Sequence, residues 1–305
     1  MNNNQDEKAQ SMLVSMGFAA DQAAAALREC GGNLEHAANL LLSGNAPAAA
    51  AAAAANTASA ATSTPIMIHG ALHQYNVDNG KSACTCIALT AAQLFLQQAA
   101  VGTTAVDATF LQNAVLQGVE TYHAVMRWHD NTNNNNNNTN NGTTVVAAAP
   151  PPGEHLSAEE VLQTGTFPSL QLDAAGVVQG LLSPPHGPLS LHVLLSASQL
   201  PSTWTAVLII KPPETVLCCL PPRNANNNNN NNKDAERPFL LIDSHPRAQQ
   251  FGADGSYVRQ HDTLATLIES SLQVLFPATE LGPDVPEWMG AAYNSFDLYR
   301  LRLAS

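Results

Sequence analysis

Three low-complexity segments divide this 305-residue chain. Residues 46–64 are almost entirely alanine with serine, threonine and asparagine, and asparagine-rich tracts occupy residues 131–141 and 224–232. None of these segments has the apolar patterning that a packed core requires. We therefore interpret 46–64 as a flexible linker and the two tracts as disordered insertions in surface loops. What remains is a small N-terminal domain, 1–45, and a larger one, 65–305, which is long enough for a sizeable core.

The net charge restricts the partners. The chain carries 24 acidic and 12 basic residues, a formal charge of -12, which argues against a nucleic-acid groove or an anionic membrane surface. A protein partner fits better. No apolar run reaches the roughly 18 residues that a membrane span needs, and Met1 to Ser11 is polar rather than signal-like. We expect a soluble, cytoplasmic and/or nuclear protein; the sequence gives no indication of its oligomeric state.

The five cysteines are expected to be free thiols, because the chain shows no secretory signal. The sequence contains no CxxC pair. Cys84 with Cys86, and the adjacent Cys218 and Cys219, lack the companion ligands of a structural zinc site. We therefore predict neither a metal nor another cofactor.

Residues 6–44 show helical periodicity in three short pieces. The first piece stops at Gly17, Asp21 can cap the second, and Gly31 ends it. Asn33 can cap the third. The pattern predicts a three-helix domain so short that its few apolar residues must be tightly placed.

Within this domain, Met16-Gly17-Phe18 and the pair Leu41 and Leu42 stand at the spacing of the ubiquitin-associated (UBA) domain family, which residues 6–44 resemble. The resemblance implies that these five residues dock on the apolar patch of ubiquitin. Methionine is adaptable and phenylalanine is large, so exposing both is useful only where a partner covers them. The alternative, that Met16, Phe18 and Leu41 are core residues, stays open.

The larger domain begins with helical patterns and continues with strand patterns. Ser157 and Glu160 form a capping box that opens a short helix, and Pro212 and Pro213 mark the first turn between strands. This order predicts an α+β fold in which helices pack on an antiparallel sheet in segregated layers. The predicted helices cover 84–97, 110–126, a short piece after 157, and finally 263–275; the predicted strands cover 206–210, 216–220, 239–242 and 296–303.

Cys84 follows a turn-forming run and opens the first of these helices. Backbone N–H groups in the first turn of a helix, together with the helix dipole, favour the thiolate form that attacks carbonyls. Such a nucleophile needs a base. On its own, a cysteine at a helix start is more often a small buried apolar residue.

Asp243-Ser244-His245 can supply the base at the end of the strand Phe239-Leu-Leu-Ile. If the strand continues, residues two apart point to the same side, so Asp243 could orient His245 while Ser244 faces away. This is the base-and-orienter arrangement of nucleophilic catalysis. An Asp-x-His sequence alone is more often a turn.

Three stretches of the larger domain resemble the papain-like cysteine peptidases, and among them the herpesvirus large tegument protein deubiquitinase family. They are residues 79–89 around Cys84, residues 111–122 with Gly118, and FLLIDSHPR at 239–247, which 252–267 follows in a similar way. The resemblance implies that Cys84 is the nucleophile, His245 the general base and Asp243 its orienter.

The family usually places a glutamine before the nucleophile to hold the oxyanion, and Gln74 is the candidate here. Cys86 competes with Cys84, which we prefer because it lies nearer the helix start. The other histidines lack a carboxylate in such a register, and we expect them to be surface or structural residues: His73, His186, His192 and His261.

These features predict a deubiquitinase that hydrolyses the isopeptide or peptide bond at the C-terminus of ubiquitin through a Cys-His-Asp triad. Its partners would be ubiquitin or ubiquitinated proteins, which the N-terminal domain would concentrate near the site. One alternative is a non-catalytic ubiquitin adaptor with an inactive papain-like domain. Another, less compatible with a UBA domain, is a Cys-His-Asp acyl transferase.

Overall fold

The computed structural model describes residues 64–137, 156–185, 187–223, 237–282 and 284–304, together with Ala24 and Leu27. The chain divides into two compact units, residues 63–278 with 294–305, and residues 1–62 with 279–293. The proposed ubiquitin-binding residues Met16, Gly17, Phe18, Leu41 and Leu42 lie outside the described residues, as do the alanine-rich segment 46–63 and the asparagine tract 224–232.

The larger unit is built on a seven-stranded sheet in the order β1-β6-β5-β4-β3-β7-β2. Every neighbouring pair is antiparallel. The strands are β1 (Ile66–His69), β2 (Leu170–Leu181), β3 (Thr205–Lys211), β4 (Glu214–Leu220), β5 (Phe239–Asp243), β6 (Tyr257–His261) and β7 (Ser295–Leu303). The four strands predicted from the sequence are all present.

Helices connect these strands. They are α1 (Cys84–Ala100), α2 (Ala108–Asn137), α3 (Ala158–Gln163), α4 (Leu191–Ser198), α5 (Ala248–Phe251), α6 (Leu264–Leu267), α7 (Gln273–Leu275) and α8 (Glu287–Asn294). A π-helical turn (Ile268–Leu272) joins α6 to α7, and a 3-10 turn (Gln74–Asn76) precedes α1. No helix among the described residues is long and apolar enough to cross a membrane.

Both faces of the sheet are covered, which explains the continuous apolar runs of its central strands. Cys219 packs with residues of α1, α2 and α3 on one face, whereas its neighbour Cys218 packs with residues of α4, α6 and the π-turn on the other. The α+β fold with helices on an antiparallel sheet is therefore confirmed. That helices cover both faces was not anticipated, because a sequence pattern does not show on which face of the sheet a helix packs.

The two long helices of the first layer, α1 and α2, pack closely together near the start of α1. A Cβ atom on Gly118 would stand 2.4 Å from the Cα of Ile87, so only glycine allows this approach of α2 to α1. Ile87 lies one turn after Cys84. The contact thus fixes the segment of helix that carries the candidate nucleophile.

The capping box of α3 is confirmed: Glu160 N–H donates to Ser157 Oγ at 3.2 Å, and Ser157 N–H donates to the Glu160 carboxylate at 2.7 Å. The helix over 263–275 is also present, with Thr263 as its N-cap and the π-turn within it. It is not the last helix, because α8 follows.

The structure differs from the sequence-based expectation in one segment and contains three strands that were not predicted. The first asparagine tract was expected to be loop throughout, but α2 continues to Asn137; an established helix propagates at little cost per residue, and asparagine opposes it only weakly. Strands β1, β2 and β6 were not predicted. In β2 a glycine and several polar residues interrupt the alternation, and pairing with β7 determines its conformation.

Candidate active site

The candidate base and its orienter meet at the end of β5. Asp243 Oδ1 lies 2.6 Å from His245 Nδ1 and also accepts the backbone N–H of His245 at 2.9 Å. Both residues are buried. Because Nδ1 is bound to the carboxylate, Nε2 is the ring nitrogen left for exchange with a nucleophile. The structure therefore contains the expected pairing of Asp243 with His245.

The backbone conformation that brings Asp243 and His245 together differs from the prediction. Strand β5 ends at Asp243, and the chain bends at Ser244 and His245 instead of continuing as a strand. The bend lets the Asp243 carboxylate accept the His245 backbone N–H, a local hydrogen bond that aspartate readily makes in turns. Ser244 does not simply face away, since its Oγ donates to Gln74 Oε1 at 3.0 Å.

Four hydrogen bonds hold the Asp243 carboxylate. Besides the two from His245, its Oδ2 accepts Arg247 Nε–H at 2.9 Å and the Tyr257 hydroxyl at 3.2 Å. Burial alone would raise the pKa of Asp243, but the charges of His245 and Arg247 and these hydrogen bonds lower it below its usual value. The carboxylate stays ionised and its rotamer is fixed.

Cys84 begins α1 as predicted, and the cap residue Ala83 makes no side-chain capping bond. The Cys84 thiol donates to the carbonyl oxygen of Pro213, in the β3–β4 turn, at 3.7 Å. Burial lowers the pKa of His245, whereas the Asp243 charge and hydrogen bond, followed by hydrogen bonding and charge from Cys84, raise it above its usual value. Cys84 therefore lies within the range of hydrogen bonding and charge interaction with His245.

Cys86 lies in the hydrophobic core and is 1% exposed. Burial, and then the charge of Cys84, raise the pKa of Cys86 to about 12. A thiol of this kind remains protonated and unreactive near neutral pH. The structure therefore supports the preference for Cys84 over Cys86.

Gln74 joins the two halves of the site. Its Nε2 donates to the carbonyl oxygen of Lys81, in the loop before Cys84, at 3.0 Å, and its backbone N–H donates to Ser244 O at 3.3 Å. With its Oε1 bound to Ser244 Oγ, the side chain is fixed in orientation. An amide NH2 group has two donors, and Lys81 uses one of them.

A thin cover lies over the reactive pair. Cys84 is 2% and His245 3% exposed. The exposed Tyr75 lies near His245, with ring centroids 6.1 Å apart and ring planes inclined at 59°, and the exposed Pro213 supplies the carbonyl that contacts the thiol. Tyr75 and the Pro212–Pro213 turn therefore form part of the cover over His245 and Cys84.

The other histidines differ from His245 in their surroundings. His73 caps the 3-10 turn, accepting Tyr75 N–H at its Nδ1, and His192 is exposed. His261 is buried with Nε2 2.9 Å from Ser271 Oγ, and burial, then Arg259, lower its pKa to about 4. These three fit the expected surface or structural roles; His186 lies outside the described residues.

Within the described ranges, no group of three His, Cys, Asp or Glu side chains could hold a metal ion.

Three residues of the network around Asp243 were not predicted: Arg247 and Tyr257, which bind its carboxylate, and Glu214, which binds Arg247. Arg247 stands four residues after Asp243, and that spacing was available in the sequence. Glu214 binds Arg247 from a different hairpin, at 2.7 and 3.1 Å, and Tyr257 reaches across from β6. No pattern in the sequence links these last two to Asp243.

Residues 5–41 match the UBA/TS-N domain family, so the chain carries a UBA domain at its N-terminus. Leu42 lies one residue beyond the match. No curated protein sequence matches the chain significantly.

Among solved structures, the fold is similar to the ubiquitin-specific protease encoded by murine cytomegalovirus tegument protein M48, in complex with a ubiquitin-based suicide substrate. The match covers 78% of this chain and 86% of that chain, with 13% sequence identity and a TM-score of 0.47.

Proposed function

We propose that this protein is a cysteine-type deubiquitinase that hydrolyses the isopeptide or peptide bond at the C-terminus of ubiquitin. One arrangement carries the proposal: Asp243 lies 2.6 Å from His245 Nδ1 while Cys84 faces the same ring, in a chain that has a UBA domain. This is the order of nucleophile, base and orienter that covalent acyl transfer to water requires.

In the proposed reaction, the proton of Cys84 has already passed to His245, in keeping with the raised pKa of that imidazole, and the thiolate attacks the carbonyl carbon of the scissile bond. The C–N bond then breaks, His245 protonates the departing amine, and a thioester joins ubiquitin to Cys84. Water attacks the thioester with His245 as base. The ubiquitin carboxylate leaves and the Cys84 thiol is regenerated.

Two residues assist in the proposal. Asp243 holds His245 in the tautomer with its proton on Nδ1 and stabilises the imidazolium that forms. Gln74, whose side chain Ser244 and Lys81 anchor, donates its remaining amide N–H to the oxyanion.

The UBA domain would act by proximity. Met16, Gly17, Phe18, Leu41 and Leu42 would bind one ubiquitin of a conjugate, which raises the local concentration of scissile bonds at Cys84. Partners would then be ubiquitin and ubiquitinated proteins.

The test is hydrolysis of a ubiquitin C-terminal fluorogenic amide. We expect Cys84→Ala to reduce the rate to background, because no other described thiol faces a base. Cys86→Ala is the matched control and should retain most of the rate. Equal rates in wild type and Cys84→Ala would exclude the assignment.

The cover over the site favours one other function, a ubiquitin adaptor without activity. Cys84 and His245 are both almost completely buried, and the thiol is bound to Pro213 O. Covalent labelling with a ubiquitin C-terminal electrophile separates the two functions. A deubiquitinase forms a Cys84 adduct, whereas an adaptor binds ubiquitin and stays unlabelled.

A further inference from the structure

Arg247 binds two carboxylates from different parts of the sheet. Its Nε donates to Asp243 Oδ2 at 2.9 Å, and its two terminal nitrogens donate to the Glu214 carboxylate at 3.1 and 2.7 Å. The arginine is 9% exposed. Its guanidinium therefore joins the end of β5 to the start of β4.

The contact with Asp243 orients the base. Arg247 and Tyr257 occupy Oδ2, which leaves Oδ1 for His245. Without Arg247 the carboxylate would lose its charged partner, and its rotamer would depend on the weaker Tyr257 bond. Charge-assisted hydrogen bonds of arginine are roughly twice as strong as neutral ones.

The contact with Glu214 connects Arg247 to the turn that contacts Cys84. Glu214 opens β4 directly after Pro213, whose carbonyl oxygen accepts the Cys84 thiol, and it pairs with Lys211 across the turn. The hydrogen bonds that restrain Glu214 therefore also restrain the Pro212–Pro213 turn over Cys84. Thr215 strengthens this attachment through its hydroxyl, which lies 3.0 Å from the Thr85 hydroxyl on α1.

Only arginine can make both contacts. Its planar fork presents Nε to one carboxylate and both terminal nitrogens to another, whereas lysine offers a single point charge. Burial lowers the pKa of Arg247, but Asp243 and Glu214 raise it above its usual value, so the cation persists between them.

We propose that Arg247 is a positioning residue that couples the Asp243–His245 pair to the turn covering Cys84, so that one side chain sets both the orientation of the base and access to the nucleophile. The proposal rests on the proposed function for the identity of the substrate. It does not depend on that function for the reactivity of the thiol.

The experiment uses the full chain with Arg247→Gln, Arg247→Lys and Glu214→Gln. Arg302→Gln is the control, because Arg302 is an exposed arginine on β7 opposite Gln171, far from the β3–β4 turn. Two rates are measured against pH: alkylation of Cys84 by iodoacetamide, located by mass spectrometry, and hydrolysis of the fluorogenic ubiquitin amide. Thermal unfolding verifies that each variant is folded.

Glu214→Gln keeps the Arg247–Asp243 contact and weakens the hold on the turn. We expect Cys84 alkylation to become about 3- to 10-fold faster, because breaking a charge-assisted bond opens the cover more often. The pH dependence of alkylation should change less than in Arg247→Gln, since Glu214 lies behind Arg247 and His245 keeps its orienter.

Arg247→Gln removes the cation and both contacts. We expect hydrolysis to fall by about 10- to 100-fold, because a small misplacement of the base has an effect of that size. The alkaline limb of the alkylation profile should move to higher pH. The groups that face His245 are Asp243, Cys84 and Tyr75, with Arg247, Tyr257 and Glu214 behind them; loss of the Arg247 charge lets Asp243 stabilise the imidazolium more strongly.

Arg247→Lys keeps the charge and loses the fork. We expect slower hydrolysis with an alkaline limb close to that of wild type. If all three variants alkylate as wild type does, or lose rate by one factor at every pH in parallel with lower thermal stability, the coupling role is wrong.

The two proposals can fail separately. An enzyme without ubiquitin hydrolysis but with the expected alkylation changes would retain the Arg247 coupling and lose the deubiquitinase assignment. Normal hydrolysis with unchanged alkylation in every variant would retain the deubiquitinase assignment and exclude the Arg247 coupling.

Discussion

The two halves of the candidate site are held very differently. On the base side, the Asp243 carboxylate accepts four hydrogen bonds, two of them from His245 and one from the buried Arg247. On the nucleophile side, α1 begins without a side-chain cap, and the Cys84 thiol donates a long hydrogen bond, 3.7 Å, to Pro213 O.

This difference matches the chemical tasks that we propose. A general base works only in one tautomer and one orientation, so its orienter must be fixed. A nucleophile must exchange its proton and then its bonding partner during the reaction, which a strong network around the thiol would oppose. Gln74 bridges the two halves through Lys81 and Ser244.

The most stringent test of the difference between the base side and the nucleophile side is to remove the charge of Asp243. Asp243→Asn should lower ubiquitin-amide hydrolysis by about 10³- to 10⁴-fold, because an amide favours the wrong tautomer of His245. Asp254→Asn, at an exposed aspartate, is the control. A loss below tenfold in Asp243→Asn would mean that the fixed base side is dispensable.

The second-largest loss of activity is expected for Gln74, which joins the two halves of the site. Gln74→Ala should lower kcat by about 10²- to 10³-fold, the usual loss for one oxyanion donor. Alkylation of Cys84 by iodoacetamide forms no oxyanion and should change little. If alkylation falls as far as hydrolysis, Gln74 positions Cys84 and does not stabilise the oxyanion.

The base side also predicts a pH-dependent stability. His245 binds its proton more tightly in the folded state, with a pKa raised to about 10 from 6.5, the net result of burial opposed by Asp243. Its stabilisation is complete below pH 6.5 and is lost as pH rises towards about 10. Wild-type Tm should therefore fall across this window, by about 2–4 °C for each kcal/mol lost.

His245→Gln is the comparison for that measurement, because it removes the titrating group and leaves the rest of the network. Its Tm should change less than that of wild type over the same pH window. Parallel curves would show that other groups cause the loss.

The smallest effect lies outside the site. Ser157→Ala removes the cap of α3 and should lower the free energy of unfolding by about 1 kcal/mol. Covalent labelling of Cys84 should be unchanged, since the hydrogen bonds of Cys84, Asp243, His245 and Gln74 described above involve no residue of α3. A change in labelling without a change in stability would contradict this separation.

Much of the fold followed from local pattern. The capping box at Ser157, the hairpin around Pro212 and Pro213, and the helix that Cys84 opens were all predictable, because neighbouring residues decide caps, turns and amphipathic faces. Strand β2 was not, because its sequence is interrupted and its partner β7 lies more than a hundred residues further along the chain.

The candidate site shows the same division between features that follow from local pattern and features that depend on long-range contacts. The sequence by itself determined a UBA domain, an α+β fold, and the candidates Cys84, His245 and Asp243, since each stands in a recognisable local motif. Gln74 was a candidate only because it is the glutamine that precedes Cys84 nearby in the chain. Only the tertiary structure decided that β5 ends at Asp243, that Cys86 is buried in the core, and that Arg247 meets Glu214. Contacts between distant strands depend on sheet register and packing, which no short stretch of sequence specifies.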